Sequence, residues 1–211
     1  MYQCIIFDLD GTLLDTSEGI IKALDETIIA LGYNDISLEE KMTFIGPPIS
    51  QSLKRVYNIN DDDAIYGLNI FREIYEKKYI YNAKLYPHII ELLDFLLNKK
   101  LYISIATYKR EDMAKKIIKY FSLDKYFNTI NGSDINNTLT KSDIIRNSIS
   151  NTSFSKEDIV MIGDTISDYN ASKEIGINFI GVNYGFGFKN YDLEYNNVNN
   201  VSDIIKLFNK S

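Results

Sequence analysis

The apolar residues of this 211-residue chain fall in two patterns, short continuous runs and rows at helical spacing. The first run, Cys4 to Phe7, is followed by Gly11 and predicts a buried strand. Behind it, apolar residues at helical spacing predict a helix over Ser17 to Leu31 that ends at Gly32. The chain is therefore expected to begin with a buried strand and a long amphipathic helix.

The segment from about residue 16 to residue 82 carries only helical patterns. Ser37 opens a Ser-Leu-Glu-Glu sequence that matches a capping box and predicts a second helix. A short helix is expected after the break at Gly46-Pro47-Pro48, and apolar residues between Ile65 and Tyr75 predict another one. We therefore expect this segment to be helical throughout.

After Leu85, strand patterns alternate with helical ones. Strands are predicted at 102–106, 126–130, 159–162 and 177–182. Helices are predicted after Pro87, with a buried face of Ile89, Ile90, Leu93 and Leu97, and at 111–120, 141–150, 171–175 and 202–208. The polar residues 196–200 predict a surface loop. This alternation favours an α/β fold, a parallel sheet with helices on both faces.

The helical segment after the first strand is then predicted to be an insertion that forms a cap over the edge of the sheet. We expect a core domain made of residues 1–15 and 83–211, and a helical cap domain made of residues 16–82. A chain of this length is long enough for one domain that carries a smaller one.

Composition and charge narrow the range of partners. The net charge is −6 and the pI is about 4.9, which argues against nucleic acid or an anionic membrane as the main partner. A small anionic substrate stays possible, because a local cation can dominate its own pocket. No apolar run approaches the roughly 18 residues that suggest a membrane-spanning helix.

The single cysteine, Cys4, excludes an internal disulfide and fits a reducing compartment. Its place in the apolar run predicts a buried structural thiol rather than a nucleophile. The first residues show no basic leader and no cleavage signal, so we expect a cytoplasmic protein. A monomer or a weak homodimer is expected.

Two carboxylates, Asp8 and Asp10, follow the first strand directly. Crowding carboxylates at a buried edge is costly unless a cation or a proton offsets their charge. This unfavourable free energy predicts a metal site. The Asp-x-Asp spacing further suggests that each acid has its own chemical role.

Other polar residues are expected at the same edge, because ligands of open α/β sheets bind at the carboxyl ends of the strands. Thr107 follows the strand at 102–106, Lys141 begins a helix, and Asp164 and Asp168 follow the strand at 159–162. Alone, Thr107 suits a helix N-cap, Lys141 a surface lysine, and the two acids a cap for the next helix. Their occurrence together, in this order, favours a catalytic site.

This ordered set resembles the motifs of the haloacid dehalogenase superfamily of aspartate-based phosphohydrolases. Asp8-Leu9-Asp10-Gly11-Thr12-Leu13 is similar to the first motif and Ala106-Thr107-Tyr108 to the second. Lys141 matches the third, and Gly163-Asp164-Thr165-Ile166-Ser167-Asp168 matches the fourth. The resemblance covers nearly the whole chain and implies a Rossmann-like core with a helical cap.

Three further segments resemble bacterial phosphoglycolate phosphatase-like proteins within that superfamily. They are Gly46-Pro47-Pro48, Leu85-Tyr86-Pro87 and Val182-Asn183-Tyr184-Gly185. Such proteins are also assigned as 5′-nucleotidases or pyrophosphatases. The chain departs from many relatives at Tyr108, which stands where they have asparagine.

The resemblance implies a Mg²⁺-dependent phosphatase acting on a small phosphorylated metabolite, with phosphoglycolate as the first expectation. Asp8 and Asp164 would bind Mg²⁺ through side-chain oxygens and Asp10 through its backbone carbonyl. Asp8 would attack phosphorus and form an aspartyl-phosphate, while Asp10 would act as general acid and then as general base.

The remaining motif residues receive supporting roles from the same resemblance. Lys141 would balance charge on the phosphoryl group and on Asp8, and the Thr107 hydroxyl would hold phosphoryl oxygens. Asp168 would orient metal-bound water or Lys141. The residues expected to contact the substrate are Gly11, Thr107, Tyr108, Lys109 and Lys141.

The same residues bear on three alternative functions. A sugar phosphomutase of this type has a histidine in the first cap helix, where this chain has Ile20 or a neighbour. A dehalogenase does not need the second acid, which is present here as Asp10. A non-catalytic binding protein is disfavoured because all four motifs are intact.

Several other residues are assigned no catalytic role. His88, the single histidine, is expected at a surface or hinge position beside Pro87. Arg72 and Lys78 lie on a predicted cap helix and could meet an anionic substrate, but a solvated helix face is favoured for both. Gly185 and Gly187 are expected to form a flexible turn.

Overall fold

Eight strands form in the part of the chain that the computed structural model describes, residues 2–187 and 196–209. They are β1 (Cys4–Phe7), β2 (Leu14–Asp15), β3 (Lys84–Leu85), β4 (Tyr102–Arg110), β5 (Thr129–Ser133), β6 (Ile159–Gly163), β7 (Asn178–Val182) and β8 (Asn196–Val198). Six of them form one sheet in the order β5-β4-β1-β6-β7-β8, and all neighbouring pairs in it are parallel. The predicted parallel sheet is confirmed.

Nine α-helices lie within the described residues. They are α1 (Ser17–Leu31), α2 (Leu38–Met42), α3 (Ile49–Tyr57), α4 (Asp61–Ile74), α5 (Ile89–Asn98), α6 (Glu111–Tyr120), α7 (Lys141–Ile149), α8 (Ile166–Ile175) and α9 (Val201–Asn209). Single turns of other types occur at Tyr75–Tyr79, a π-helix that continues α4, and at Asp124–Tyr126 and Lys156–Asp158, both 3₁₀ helices.

Strand β1 is fully buried because helices cover both faces of the sheet. Successive side chains of a strand point to opposite faces. Ile5 and Phe7 belong to one apolar cluster, to which α5, α6 and α9 contribute, and Cys4 and Ile6 belong to another, formed with α7 and α8. The expected three-layer α/β architecture is therefore present.

Helices α1 to α4 form the helical cap between β1 and β4. The predicted helices of this segment are confirmed, and Ser37 caps α2 by accepting a hydrogen bond from the Glu40 amide at 3.1 Å. The chain leaves the core through β2 and returns to it through β3. These two strands pair antiparallel, and Leu14 lies opposite Leu85. This ladder supports the division at residues 15 and 83, which stays a proposal.

Some predicted boundaries are wrong by several residues. Strand β5 begins at Thr129 rather than at 126, because Tyr126 ends a 3₁₀ turn. Helix α8 begins at Ile166 rather than at 171, because Thr165 and Asp168 form a capping box at its start. That Thr-x-x-Asp signal was present in the sequence.

Two errors arose from tertiary packing. Helix α5 has apolar residues around much of its circumference, so periodicity did not select a face. The side chains it buries are Ile89, Leu92, Leu93 and Leu96, whereas Ile90 and Leu97 are exposed. The loop predicted at 196–200 instead contains β8, since the backbone of its polar residues pairs with β7 at the sheet edge and Val198 is buried.

No helix in the two described ranges is both long and apolar enough to cross a bilayer. The thiol of Cys4 is completely buried in β1, and this burial raises its pKa to about 12.

We expect Cys4 to be unreactive toward Ellman's reagent in the folded protein, because both access and thiolate formation are suppressed. One thiol per chain should react once guanidinium chloride unfolds the protein. Rapid reaction under native conditions, with unfolding excluded by circular dichroism, would contradict the buried position of β1.

Candidate active site

The predicted acids converge at the carboxyl edge of β1 and β6, two strands that are neighbours in the sheet. Asp8 directly follows β1, and Asp164 directly follows β6. Asp168 lies in the first turn of α8. All three side chains are buried, with Asp8 4% exposed and the other two fully enclosed.

One carboxylate oxygen from each of Asp8, Asp164 and Asp168 lies within 4.8 Å of the others. Burial raises the pKa of Asp8 to about 7, an effect that Lys141 opposes and that Asp168 and Asp10 increase. Burial, followed by the charge of Asp8, raises the pKa of Asp164 well above its ordinary value. This excess of buried negative charge fits a divalent cation.

Asp8 and Asp168 each pair with a lysine, whereas Asp164 has no lysine or arginine partner among the described residues. Its Oδ2 atom accepts a hydrogen bond from the Phe186 amide at 2.7 Å, and its Oδ1 atom accepts one from Thr12 Oγ1 at 3.3 Å. Two neutral donors leave the carboxylate charge uncompensated, so Asp164 and Asp8 are well suited to bind a cation through oxygen.

Lys141 is a buried cation between two of the acids rather than a surface lysine. Its Nζ atom lies 2.8 Å from Asp8 Oδ1 and 2.8 Å from Asp168 Oδ1. Burial acts to lower the pKa of Lys141, but the carboxylates of Asp168 and Asp8 outweigh it and raise the pKa overall. The lysine is therefore charged whenever these acids are ionised.

Lys141 and Asp168 form an ion pair between α7 and α8, and local sequence signals set where each of these helices begins. Thr140 and Asp143 form a capping box, which starts α7 at Lys141. Asp168 Oδ2 accepts hydrogen bonds from the Thr165 amide at 3.1 Å and from Thr165 Oγ1 at 2.6 Å. Both oxygens of Asp168 thus have protein partners, which suits the predicted role of orienting Lys141 better than direct metal binding.

Asp10 has a different set of partners from Asp8. Its Oδ1 atom accepts a 2.6 Å hydrogen bond from Thr16 Oγ1 and lies 3.0 Å from Lys109 Nζ. Lys109 also donates to the Tyr75 hydroxyl of the cap at 3.3 Å. Burial acts to lower the pKa of Lys109, but Asp10 and Tyr75 raise it overall. The two acids of the first motif therefore have separate lysine partners.

Thr107 does not end its strand as predicted. Strand β4 continues to Arg110, which pairs with Ser133 of β5 beyond an irregularity in the register after Ala106. The Thr107 side chain is buried and its Oγ1 atom accepts a hydrogen bond from the Lys109 amide at 3.2 Å. Thr107 thus lies inside the strand, at the irregularity in its register, and the ladder continues beyond it.

Tyr108 connects β4 to the start of α7. Its hydroxyl accepts hydrogen bonds from the Lys141 amide at 3.1 Å and from Ser167 Oγ at 3.4 Å. Its ring lies 5.4 Å from Lys141 Nζ. Tyr108 therefore contacts the buried lysine through both its hydroxyl and its ring.

Two glycines allow the backbone to approach Asp164. Gly11 has a φ of +83°, and a Cβ atom there would lie 2.2 Å from Asp164 Oδ2. A Cβ on Gly185 would lie 2.3 Å from Asp164 Cβ and 2.5 Å from the Gly11 carbonyl oxygen. Gly185 thus lies at a bend of the chain, in keeping with the expected turn, and also forms part of the site wall, which was not predicted.

A cavity of about 70 Å³ adjoins Asp10 between the cap and the core, and we name it the cap–core cavity. Its lining includes Asp10, Phe71, Arg72, Tyr75, Tyr108 and Lys109. Arg72 was expected on a solvated face, which is wrong, because its side chain is buried. Lys78 and His88 are exposed, and they pair with Glu26 and Glu91 on the surface.

Three residues that contact the site were not predicted from the sequence: Thr12, Thr16 and Tyr75. Thr12 lies within the first motif and Thr16 lies three residues after it, and the hydroxyl groups of both can donate to nearby carboxylates. Tyr75 lies in the cap, in the π-helical turn after α4. Only the folded cap brings this tyrosine to Lys109, so no local signal indicates it.

We expect Gly185→Ala to lower activity more than tenfold and to destabilise the protein by about 1–3 kcal/mol, because the added methyl overlaps Asp164 and the Gly11 carbonyl. Phosphate release and thermal unfolding measure the two effects. Gly32→Ala is the control, since a methyl group there meets open space; Gly32 has a positive φ that Gly185 lacks, so this substitution strains the backbone without touching the site. It should cost stability alone, and normal activity in Gly185→Ala would contradict the close approach.

Comparison with known proteins identifies the family of the chain. The model of the haloacid dehalogenase-like hydrolase family matches residues 5–182. A 5′-nucleotidase of Pseudomonas aeruginosa is 34% identical over 88% of this chain and 85% of its own length. A phosphoglycolate phosphatase of Aquifex aeolicus is 27% identical over 97% of this chain and 96% of its own length.

A solved structure described as a predicted phosphatase from Clostridium acetobutylicum has a TM-score of 0.93, with 31% identity over the full length of both chains. The expected α/β fold with a helical cap is confirmed, and so is the expected enzyme class, a phosphoric monoester hydrolase. The chain belongs to the haloacid dehalogenase-like hydrolase family.

Proposed function

We propose that the protein is a Mg²⁺-dependent phosphomonoesterase that acts on a small phosphorylated metabolite through an aspartyl-phosphate. The observation that carries this proposal is the position of Asp8, a buried carboxylate held 2.8 Å from Lys141 and grouped with Asp164. Such an acid has a charge partner on one side and a cation-binding group on the other, as a nucleophile toward an anionic phosphate requires.

Asp8 and Asp164 would bind Mg²⁺ through side-chain oxygens, and Asp10 through its backbone carbonyl. When bound, the metal reduces the repulsion between a phosphate oxygen and the attacking carboxylate. Lys141 would stabilise negative charge on the phosphoryl group, and the Thr107 hydroxyl would donate to one of its oxygens. Asp168 would keep Lys141 in place through their ion pair.

The reaction proceeds in two displacements at phosphorus. In the first, an Asp8 oxygen forms a bond to phosphorus, the bond to the leaving oxygen breaks, and protonated Asp10 gives its proton to that oxygen. In the second, Asp10 takes a proton from water, whose oxygen displaces Asp8 and releases inorganic phosphate. Thr16 and Lys109 keep the Asp10 carboxylate in position for both steps.

Phosphoglycolate is the first substrate we propose, supported by relatives with the name phosphoglycolate phosphatase and by the resemblance of the cap and hinge segments. A 5′-nucleotidase activity is the second candidate, supported by the 34% identical relative from Pseudomonas aeruginosa. Pyrophosphate is a third, since another relative is named as a pyrophosphatase. We propose a cytoplasmic monomer or weak homodimer, with no nucleic acid or membrane partner.

A phosphate-release screen with Mg²⁺ tests the activity and ranks these substrates by kcat/KM. We expect Asp8→Asn to abolish phosphate release, because the amide is a poor nucleophile. Asp10→Asn should reduce kcat by about 10²–10⁴-fold, the usual range for loss of general acid–base catalysis.

Asp62→Asn is the control for these variants, because Asp62 is an exposed acid in the first turn of α4. It should retain wild-type rates. Wild-type rates in Asp8→Asn, with the fold intact by circular dichroism, would disprove the proposed nucleophile.

The stability of the protein in EDTA should fall as pH rises from about 4 to about 7. In this range the folded state binds more protons than the unfolded one, because the pKa values of Asp8 and Asp164 are raised above their unfolded values near 4. Mg²⁺ needs the ionised carboxylates, so its stabilising effect should be larger near pH 8 than near pH 5.

Thermal unfolding with and without Mg²⁺ at the two pH values measures this effect. In Asp164→Asn the Mg²⁺-dependent increase in Tm should be lost. An equal increase at both pH values would show that the metal does not bind at these two acids.

A further inference from the structure

Arg72 is a buried arginine without a carboxylate partner among the described residues. Its side chain is 8% exposed, and its Nη1 atom donates to the backbone carbonyl of Ile135 at 2.7 Å. The other three arginines of the chain, Arg55, Arg110 and Arg146, each pair with at least one acid. Arg72 therefore stands apart from them in both burial and pairing.

The surroundings of Arg72 do not neutralise its charge. Burial lowers the pKa of its guanidinium, and the neighbouring charge of Arg110 acts in the same direction. Asp134 and Asp112 oppose this effect but lie outside ion-pair distance of Arg72. A buried cation without a counter-ion is unfavourable, so its presence indicates a site that an anion completes.

Arg72 lines the cap–core cavity, which Asp10 and Lys109 also line. Asp10 is the residue that would protonate the leaving oxygen, so the group attached to that oxygen occupies this cavity. Lys109 is already paired with Asp10, and Arg110 is already paired with Glu76 and Asp112. Of these cations, Arg72 is the one that retains unpaired charge for a ligand.

The size of the cavity limits what can bind beside Arg72. Its volume of about 70 Å³ is several-fold below the roughly 300–1,000 Å³ of pockets that hold drug-sized ligands. Phe44, Phe71 and Met113 contribute apolar wall. A leaving group of a few heavy atoms fits this space, whereas a nucleoside requires the cap to move away.

We propose that Arg72 binds a negatively charged group on the leaving-group part of the substrate, and that the enzyme selects small phosphate esters carrying a second anion. This inference rests on the proposed phosphatase function and makes Arg72 its specificity-determining residue. The guanidinium would bind an anionic oxygen of a carboxylate or of a second phosphate. Substrates with small anionic leaving groups are thereby favoured over nucleoside monophosphates.

Two esters that differ in one group test this role. Phosphoglycolate carries a carboxylate where 2-hydroxyethyl phosphate carries an uncharged alcohol. The wild-type protein should prefer phosphoglycolate in kcat/KM, and Arg72→Met should reduce that preference by about 10- to 100-fold, mainly through KM, since a charge-assisted hydrogen bond is lost. Pyrophosphate, assayed in parallel, distinguishes a phosphate from a carboxylate as the favoured anion.

Arg55→Met is the matched control, because Arg55 is an exposed cap arginine outside the cavity. It should leave the preference unchanged. Should Arg72→Met fail to fold, Arg72→Lys retains the charge without the planar fork and should show a smaller drop in the same ratio. If both esters react slowly, their inhibition constants against p-nitrophenyl phosphate hydrolysis give the same comparison.

An equal loss on both esters in Arg72→Met would overturn the proposal and assign Arg72 to cap–core packing through Ile135. No wild-type preference for the anionic ester, in rate or in inhibition, would also overturn it while leaving the phosphatase function intact. Absence of phosphate release from every ester with Mg²⁺ would instead contradict the proposed function itself.

Discussion

The repulsion among buried carboxylates at the edge of the sheet is the constraint on which the rest of the site depends. Asp8, Asp164 and Asp168 share one enclosed space with a single lysine, Lys141. Burial and mutual repulsion raise the pKa of Asp8 and Asp164, because one cation does not balance three acids. The divalent cation that we propose would relieve that imbalance, so its binding would increase both the stability and the reactivity of the site.

The scaffold tolerates this crowding because each charged group is held by rigid structure. Parallel pairing of β1 and β6 places Asp8 and Asp164 side by side although they are far apart in sequence. Capping boxes start α7 and α8, and Asp168 serves both as a helix cap and as a partner of Lys141. Gly185 lets the backbone close over Asp164. In the proposed reaction, little reorganisation of the site would then be needed when charge moves to the phosphoryl group.

The two acids of the first motif have different surroundings, which fits the separate roles that we propose for them. Asp8 lies with Lys141 and the other core acids, whereas Asp10 lies with Lys109 beside the cap. In the proposed mechanism, this separation would let the core carry out the displacement at phosphorus while the cap contacts the leaving group. Arg72 is the clearest contribution of the cap to the site, since its unpaired charge would give the cap–core cavity the proposed preference for anionic leaving groups.

The sequence by itself determined the parallel α/β fold, the helical cap and the residues that meet at the sheet edge, because apolar periodicity, helix caps and motif order are local signals. Tertiary structure alone decided which face α5 buries and that polar residues 196–198 form an edge strand, since both depend on neighbours distant in the chain. It also decided that Arg72 is buried and that Tyr75 reaches Lys109. A side chain's burial and its charge partners are set by what the fold packs against it, which no run of neighbouring residues specifies.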